Sequence, residues 1–215
     1  MIGKIYKKRF DKFEIDKKNK IWEALCAYFF QKYINKDASV LDIGCGYGEF
    51  INNIKCREKY AIDLNKECRD FLDSDIKFFN CCGSDLSFLK DESIDAVFMS
   101  NFLEHLKNKD EIIKTFLEIK RVLKQGGRVL ILGPNIKYAY KVYWDFFDHY
   151  LPLSDKALNE ALEIVGFTVE KTIPKFLPYT TKSRIPQYIF FVKMYLRMPL
   201  IWKIMGRQMF IVAKK

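Results

Sequence analysis

The sequence predicts an α/β fold, a doubly wound sheet with helices on both faces, and three observations carry that prediction. Seven short apolar runs are spread along 215 residues, most of them separated by stretches with apolar residues at helical spacing. The first run, Val40-Leu41-Asp42-Ile43, feeds into glycines at every second position, Gly44, Gly46 and Gly48. The second, Tyr60-Ala61-Ile62, ends in Asp63, which follows the last of those glycines by 15 residues. Strand, glycine turn, helix and a second strand ending in an acid make a nucleoside-binding unit where parallel strands finish.

Ahead of that unit, Trp22, Leu25, Cys26, Phe29, Phe30 and Tyr33 form one apolar stripe at helical spacing, led into by the basic residues 6–10. From its spacing this helix covers the core, with a solvated basic tip. Val40, Leu41 and Ile43 suit a strand buried on both faces. Residues 49–55 can start a helix whose positive end faces the glycine turn. Ile76-Lys77-Phe78-Phe79 reads as a third strand and Asp95-Ala96-Val97-Phe98-Met99-Ser100 as a fourth. The next helix offers Ile112, Ile113, Phe116, Leu117, Ile119 and Leu123 to the sheet and stops at Gln125-Gly126-Gly127, before a fifth strand at 128–132. Ser154 can cap a helix bearing Leu158, Leu162 and Val165 that ends at Gly166. A sixth strand follows at 167–170 and a seventh at 208–213.

Two segments stand outside this alternation. Residues 138–150 hold Tyr138, Tyr140, Tyr143, Trp144, Phe146, Phe147, His149 and Tyr150, a substrate wall or a plug over the core. Residues 174–207 interleave apolar and basic side chains. They predict a helical pair packed on the core, on a second copy of the chain, or on an anionic membrane surface. The expected division is one domain over 1–215, with a helical cap at 1–37, a core at 38–173 and 208–215, and a helical insertion at 174–207.

The glycine turn excludes one large class of ligand. A dinucleotide site wants G-x-G-x-x-G, whose third glycine makes room for a pyrophosphate; here that position is Glu49. Carboxylates at Asp42 and Glu49 repel a pyrophosphate and favour a cationic ligand. The formal net charge of +10 draws anions to the surface: nucleic acid, acidic lipid or a phosphorylated small substrate. Six cysteines (Cys26, Cys45, Cys56, Cys68, Cys81, Cys82) form no CxxC pair and no ligand spacing with the two histidines, so reduced thiols and no metal are expected. No run is long enough to span a membrane and the start is too charged for a secretory signal, so a cytoplasmic location is expected.

With the turn Asp42-x-Gly44-x-Gly46-x-Gly48, Asp63, the Asp85-Leu86 pair, the Glu104-His105-Leu106 element after the fourth strand and the Leu123-Lys124-x-Gly126-Gly127 turn, the chain resembles the class I S-adenosylmethionine-dependent methyltransferases. The resemblance covers roughly residues 38–173. It implies a seven-stranded Rossmann-like sheet with the last strand antiparallel, and S-adenosylmethionine as cofactor, leaving S-adenosylhomocysteine. Carried over residue by residue, it implies cofactor contacts at Asp42, Gly44, Gly46, Gly48, Asp63, Leu64, Ser84, Asp85, Leu86 and Asn101. Asp85 and Leu86 would read the adenine. The longer string, including Gly48-Glu49-Phe50-Ile51-Asn52-Asn53, Asp148-His149, Phe176-Leu177-Pro178-Tyr179-Thr180 and Gly206-Arg207-Gln208-Met209-Phe210, is similar to small bacterial methyltransferases associated with surface (capsular) polysaccharide synthesis. That similarity implies O-methylation of a sugar or of a phosphoramidate- or nucleotide-linked precursor.

Transfer to a sugar hydroxyl needs a proton acceptor, and His149 and His105 are the only histidines. An anionic acceptor needs none; Tyr179, Lys182 and Arg184 would then orient it. Glu104, Tyr138 and Tyr143 complete the expected substrate contacts. The expected partner is an anionic or sugar-like small molecule, with peripheral membrane contact or a homodimer left open. The basic surface keeps an RNA or DNA methyltransferase as the alternative, although no N/D-P-P-Y/F element follows the fourth strand. A non-catalytic S-adenosylmethionine-binding protein is the third reading.

Overall fold

The computed structural model describes residues 12–179 and 189–215, with side chains from residue 18 onward. Its elements in chain order are α1 (Lys12–Tyr28), β1 (Ser39–Ile43), β2 (Glu58–Ile62), β3 (Lys77–Phe79), β4 (Ile94–Ser100), α2 (Lys109–Val122), β5 (Leu123–Pro134), α3 (Ile136–Tyr143), α4 (Asp155–Val165), β6 (Thr168–Ile173), α5 (Ile189–Arg197), α6 (Pro199–Met205) and β7 (Gln208–Lys214). Short 3-10 turns lie at Phe30–Tyr33, Lys66–Phe71 and Leu103–His105.

The seven strands form one sheet in the order β3-β2-β1-β4-β5-β7-β6. β1 pairs in parallel with β2 on one side and β4 on the other, and β7 runs antiparallel between β5 and β6. The strand order therefore reverses at β1. In an open parallel sheet the crevice at such a reversal, beyond the strands' carboxyl ends, is where a ligand is received.

Alternation along the strands sorts the core into two layers. Leu41, Ile43, Val97, Met99, Val129, Ile131 and Ile211 pack against Ile112, Phe116 and Ile119 of α2 and Leu158 and Leu162 of α4. Val40, Ala96, Phe98, Leu130, Phe210 and Val212 face the opposite way, into a layer built by Trp22, Leu25, Phe29 and Phe30 with Phe50 and Phe176. Aromatic rings dominate that second layer: Phe50 stacks on Phe98 at 3.7 Å and Phe29 on Phe176 at 4.2 Å. The stripe from Trp22 to Tyr33 is thus core-facing, though its last four residues are a 3-10 turn beyond α1.

In the described part of the insertion two short helices, α5 and α6, follow one another. α5 lies against α1, with the Lys193 ammonium 4.4 Å from the Tyr28 ring centroid, and Trp202 of α6 meets Phe29 and Phe176 edge-on. Phe176 is fully buried, because its ring closes the aromatic layer between α1 and β7.

Other local expectations change. Leu117 is 52% exposed, since the face α2 buries runs through Ile112, Thr115, Phe116, Ile119 and Val122. That helix ends at Val122, before the glycines; Gly126 takes φ +78° inside the β4–β5 register shift. A Cβ on Gly127 would sit 2.9 Å from the Lys124 carbonyl oxygen and 3.1 Å from that of Asp95, so the bulge admits no side chain there. Residues 49–54 form successive turns rather than a helix, with single i→i+4 bonds at Asn52 and Ile54. Residues 136–143, read as part of a loop, are α3, started by the Asn135 side chain accepting from the Lys137 amide. α4 starts and stops as expected, with Ser154 accepting from Ala157 and Gly166 left-handed. Among the described residues no helix is long and apolar enough to cross a membrane.

Candidate active site

The glycine turn begins where β1 ends. Gly44, Gly46 and Gly48 all have positive φ (70°, 52° and 76°), a conformation L side chains avoid. The Gly44 and Cys45 amides donate to the Ile62 carbonyl at 2.9 and 3.0 Å, tying the turn to β2. The Gly46 amide donates to Asp63 Oδ2 at 3.0 Å, and the Asn65 amide to Asp63 Oδ1 at 2.8 Å. Asp63 is thereby held at the mouth of the crevice with its carboxylate oriented, and Leu64 beside it is exposed.

Phe102 sets the opposite wall. Its ring occupies the space where a Cβ on Gly44 or on Gly83 would stand, 2.8 Å away in each case. Gly83, which the sequence reading passed over, is therefore the residue of the β3–β4 connection that borders the glycine turn. Leu86 is not: its side chain is fully buried in the α2-side core and its amide donates to Glu118. Asp85 remains exposed, its Oδ1 accepting from the Ser87 amide; Ser84 is half-buried with its hydroxyl 3.4 Å from Cys82 Sγ. Asn101, at the tip of β4, has φ +48° and its amide bonded to the Leu132 carbonyl, which leaves its side chain exposed over the crevice.

Charge in the crevice is strongly acidic. Burial, with Glu49 and Asp63 nearby, pushes the Asp42 carboxyl well above the usual carboxylate range. Burial also pushes Asp63 up, against the opposing pull of the Asn65 and Gly46 amides. Glu49 forms an ion pair with Lys18 of α1 at 2.7 Å, and Asn53 bonds Asn19 at 2.7 Å, so α1 is fastened to the segment behind the glycine turn.

Beyond Asn101 the chain forms the Leu103–His105 turn. The Glu104 carbonyl accepts from the Tyr150 and Leu151 amides at 2.8 and 3.2 Å, which draws the segment after α3 onto it. This brings together both histidines: their ring centroids are 5.0 Å apart. His105 Nδ1 lies 2.8 Å from the Asp148 carbonyl oxygen, and the Tyr179 hydroxyl lies 3.4 Å from His149 Nε2. Phe146 stacks on His149 at 4.9 Å. Glu104 is only 3% exposed, and burial raises its carboxyl to about 7, against the pull of His105. A cavity of about 10 Å³, room for roughly one water, lies beneath it among Met99, Leu103, Ile131 and Met209.

The expected substrate residues separate into four groups. Glu104 and Tyr179 join the histidines. Tyr143 touches His149 at 4.6 Å but is fully buried, its hydroxyl donating to the Leu151 carbonyl, so it supports the cluster and offers no open wall. Tyr138 lies apart, with Lys175 over its ring. Lys182 and Arg184 fall outside the described residues, as do the basic residues 6–10.

Comparison with known proteins decides the family. The methyltransferase domain family matches residues 41–131, the stretch from β1 through the crevice to β5. The chain is also 33% identical over 170 residues to an uncharacterized protein of Methanocaldococcus jannaschii, spanning 75% of this chain and 77% of the relative. This chain belongs to the class I S-adenosylmethionine-dependent methyltransferases. The same fold is seen in a methyltransferase of Archaeoglobus fulgidus (TM-score 0.69, 20% identity, 95% of this chain and all of that one). It recurs in one of Methanosarcina mazei (TM-score 0.62, 21% identity, 86% and 96%). The enzyme's methyl donor is S-adenosylmethionine, and the crevice fits it. The glycine turn puts no side chain over the crevice, and the carboxyl groups of Asp42, Glu49 and Asp63 beside it suit a cationic donor.

Proposed function

We propose that this methyltransferase acts on the oxygen of a small acceptor held against Glu104, His105, His149 and Tyr179. The observation that carries this is the meeting of both histidines with a buried glutamate directly after Asn101, at the carboxyl end of β4. Methyl transfer is an in-line displacement, so the chain's main task is to align acceptor oxygen, methyl carbon and sulfur. For a hydroxyl acceptor, His105 or His149 takes the proton as the new bond forms. His105 is already oriented by Asp148, leaving its other ring nitrogen for that role. For an acceptor that is already anionic, Tyr179 with Lys182 and Arg184 would orient it.

The finer reading, O-methylation of a sugar or phosphoramidate-bearing precursor of a surface polysaccharide, is supported by the string resemblance running from the glycine turn to the last strand. Ser84, Asp85, Asn101 and Leu64 are proposed to contact the donor's adenosyl and methionyl parts. Calorimetric titration tests the site: S-adenosylhomocysteine should bind the intact chain and fail to bind Asp63→Ala and Gly46→Val. Retained binding in both variants rejects the crevice. The acceptor class is tested by incubating the enzyme and donor with sugar nucleotides and with RNA, and seeking a gain of one methyl group by mass spectrometry. Methylation confined to RNA rejects the small-acceptor reading.

A further inference from the structure

Glu104 poses a question that proton transfer alone leaves open. One of its carboxylate oxygens, Oε1, is buried and has no hydrogen-bond partner, and no Lys or Arg among the described residues forms an ion pair with it. Leaving such an oxygen unsatisfied is costly, and burial of this kind is retained where something completes it. The nearby apolar lining of Met99, Leu103, Ile131 and Met209 supplies no donor. What does stand beside it is a pair of imidazoles. One ligand atom from each of Glu104, His105 and His149 can be chosen so that all three lie within 4.8 Å of one another.

We propose that Glu104, His105 and His149 bind a divalent transition-metal ion that also receives the methyl acceptor's oxygen. One carboxylate and two imidazoles match zinc, iron, cobalt or manganese and are a poor set for calcium, which takes oxygen ligands. Three protein ligands leave positions open for a substrate oxygen. The surroundings fit as well. A metal-bound histidine hands its other ring nitrogen to a carbonyl or carboxylate, and His105 Nδ1 stands 2.8 Å from the Asp148 carbonyl and 3.5 Å from its Oδ2. The Tyr179 hydroxyl beside His149 Nε2 occupies the corresponding place for the second imidazole. Tyr150 and Leu151, bonded to the Glu104 carbonyl, fix the two arms of the site to each other.

The inference rests on the methyl-transfer reading and deepens it, with both imidazoles holding the ion in place of taking the acceptor's proton. An acceptor hydroxyl bound to the ion releases its proton to solvent more readily. Its oxygen then forms a bond to the methyl carbon, the carbon–sulfur bond breaks with its electron pair passing to sulfur, and the products are the methyl ether, S-adenosylhomocysteine and one proton.

The test is titration of the full chain with Co²⁺ alone, followed by visible absorption and by paramagnetic broadening of the two histidine ring signals. One equivalent should bind, Zn²⁺ should displace it, and both ring signals should broaden. Glu104→Gln and His149→Asn should each weaken uptake at least tenfold while retaining the circular dichroism and S-adenosylhomocysteine binding of the parent. The proposal is overturned if the folded parent, binding S-adenosylhomocysteine, takes up no Co²⁺ or shows no broadening of the rings. Unchanged uptake in both variants overturns it too. If a variant fails to fold, the ring signals of the parent decide alone. Co²⁺ uptake on these residues without S-adenosylhomocysteine binding upholds the metal site and rejects the methyl-transfer reading instead.

Discussion

At the scale of single residues, Asp42 links the fold to the donor. It is almost wholly buried beneath the glycine turn, and burial, Glu49 and Asp63 hold its carboxyl above the ordinary Asp range. The sign of the consequence follows. Between the unfolded value of about 3.9 and the raised folded value, the folded chain binds more protons than the unfolded one. Stability contributed by this group is therefore present at low pH and falls as pH rises through that window. A cation in the crevice favours the ionised carboxylate, so it should bind more tightly as pH rises and release a proton on binding. Calorimetry of the donor in two buffers of different ionisation enthalpy measures that release; Asp42→Asn should reduce it and flatten the pH dependence of thermal stability. Equal proton release in parent and variant would assign the effect to Asp63, whose carboxyl is raised in the same direction.

Among elements, the joint made by Asn135 is the most exacting. Fully buried between β5 and α3, it caps α3 through Oδ1, and its amide nitrogen donates to Asp155 Oδ1 at 2.9 Å and to the Pro174 carbonyl at 3.1 Å. One side chain thus fixes α3, the start of α4 and the entry to the insertion. Asn135→Ala removes the cap and both donated bonds, Asp155 keeping only its ion pair with Lys137, and should cost about 2 kcal/mol, lowering the melting temperature by about 4–8 °C. It should also loosen His149, whose segment depends on where α3 ends. The same element marks where sequence reading runs out. The strands were legible because both faces of β1, β4 and β5 are buried, which leaves near-continuous apolar runs. The glycine turn was legible because positive φ demands glycine. α3 was not, since Tyr138 and Tyr140 are exposed while Ala139 and Tyr143 are buried, so its aromatic content hid its period. Asn135 before it was the available signal. The meeting of Glu104, His105 and His149 was not legible from spacing, because His149 lies far from the other two along the chain.

For the molecule as a whole, the decisive arrangement is how the N-terminal helix and the insertion share one layer. Phe176 touches Phe29 and Phe30 at the end of α1, Trp202 of α6 and Phe210 of β7, and is itself fully buried. The first described helix, the insertion and the last strand therefore close on a single ring. Truncation to Phe176→Ala removes a large buried side chain where rigid β7 limits collapse, at a cost of about 3–5 kcal/mol. Native-state hydrogen exchange locates the loss. Amides of α1, α5 and α6 should exchange faster together, because they pack on the vacated volume, whereas α2, whose core lies on the other face of the sheet, should keep its relative protection. Because Lys18 on α1 reaches Glu49 behind the glycine turn, the same variant should also bind S-adenosylhomocysteine more weakly, although Phe176 lies outside the crevice. If α1 alone loosened, with α5 and α6 unchanged, cap and insertion would be separate units rather than one layer closing on the donor site.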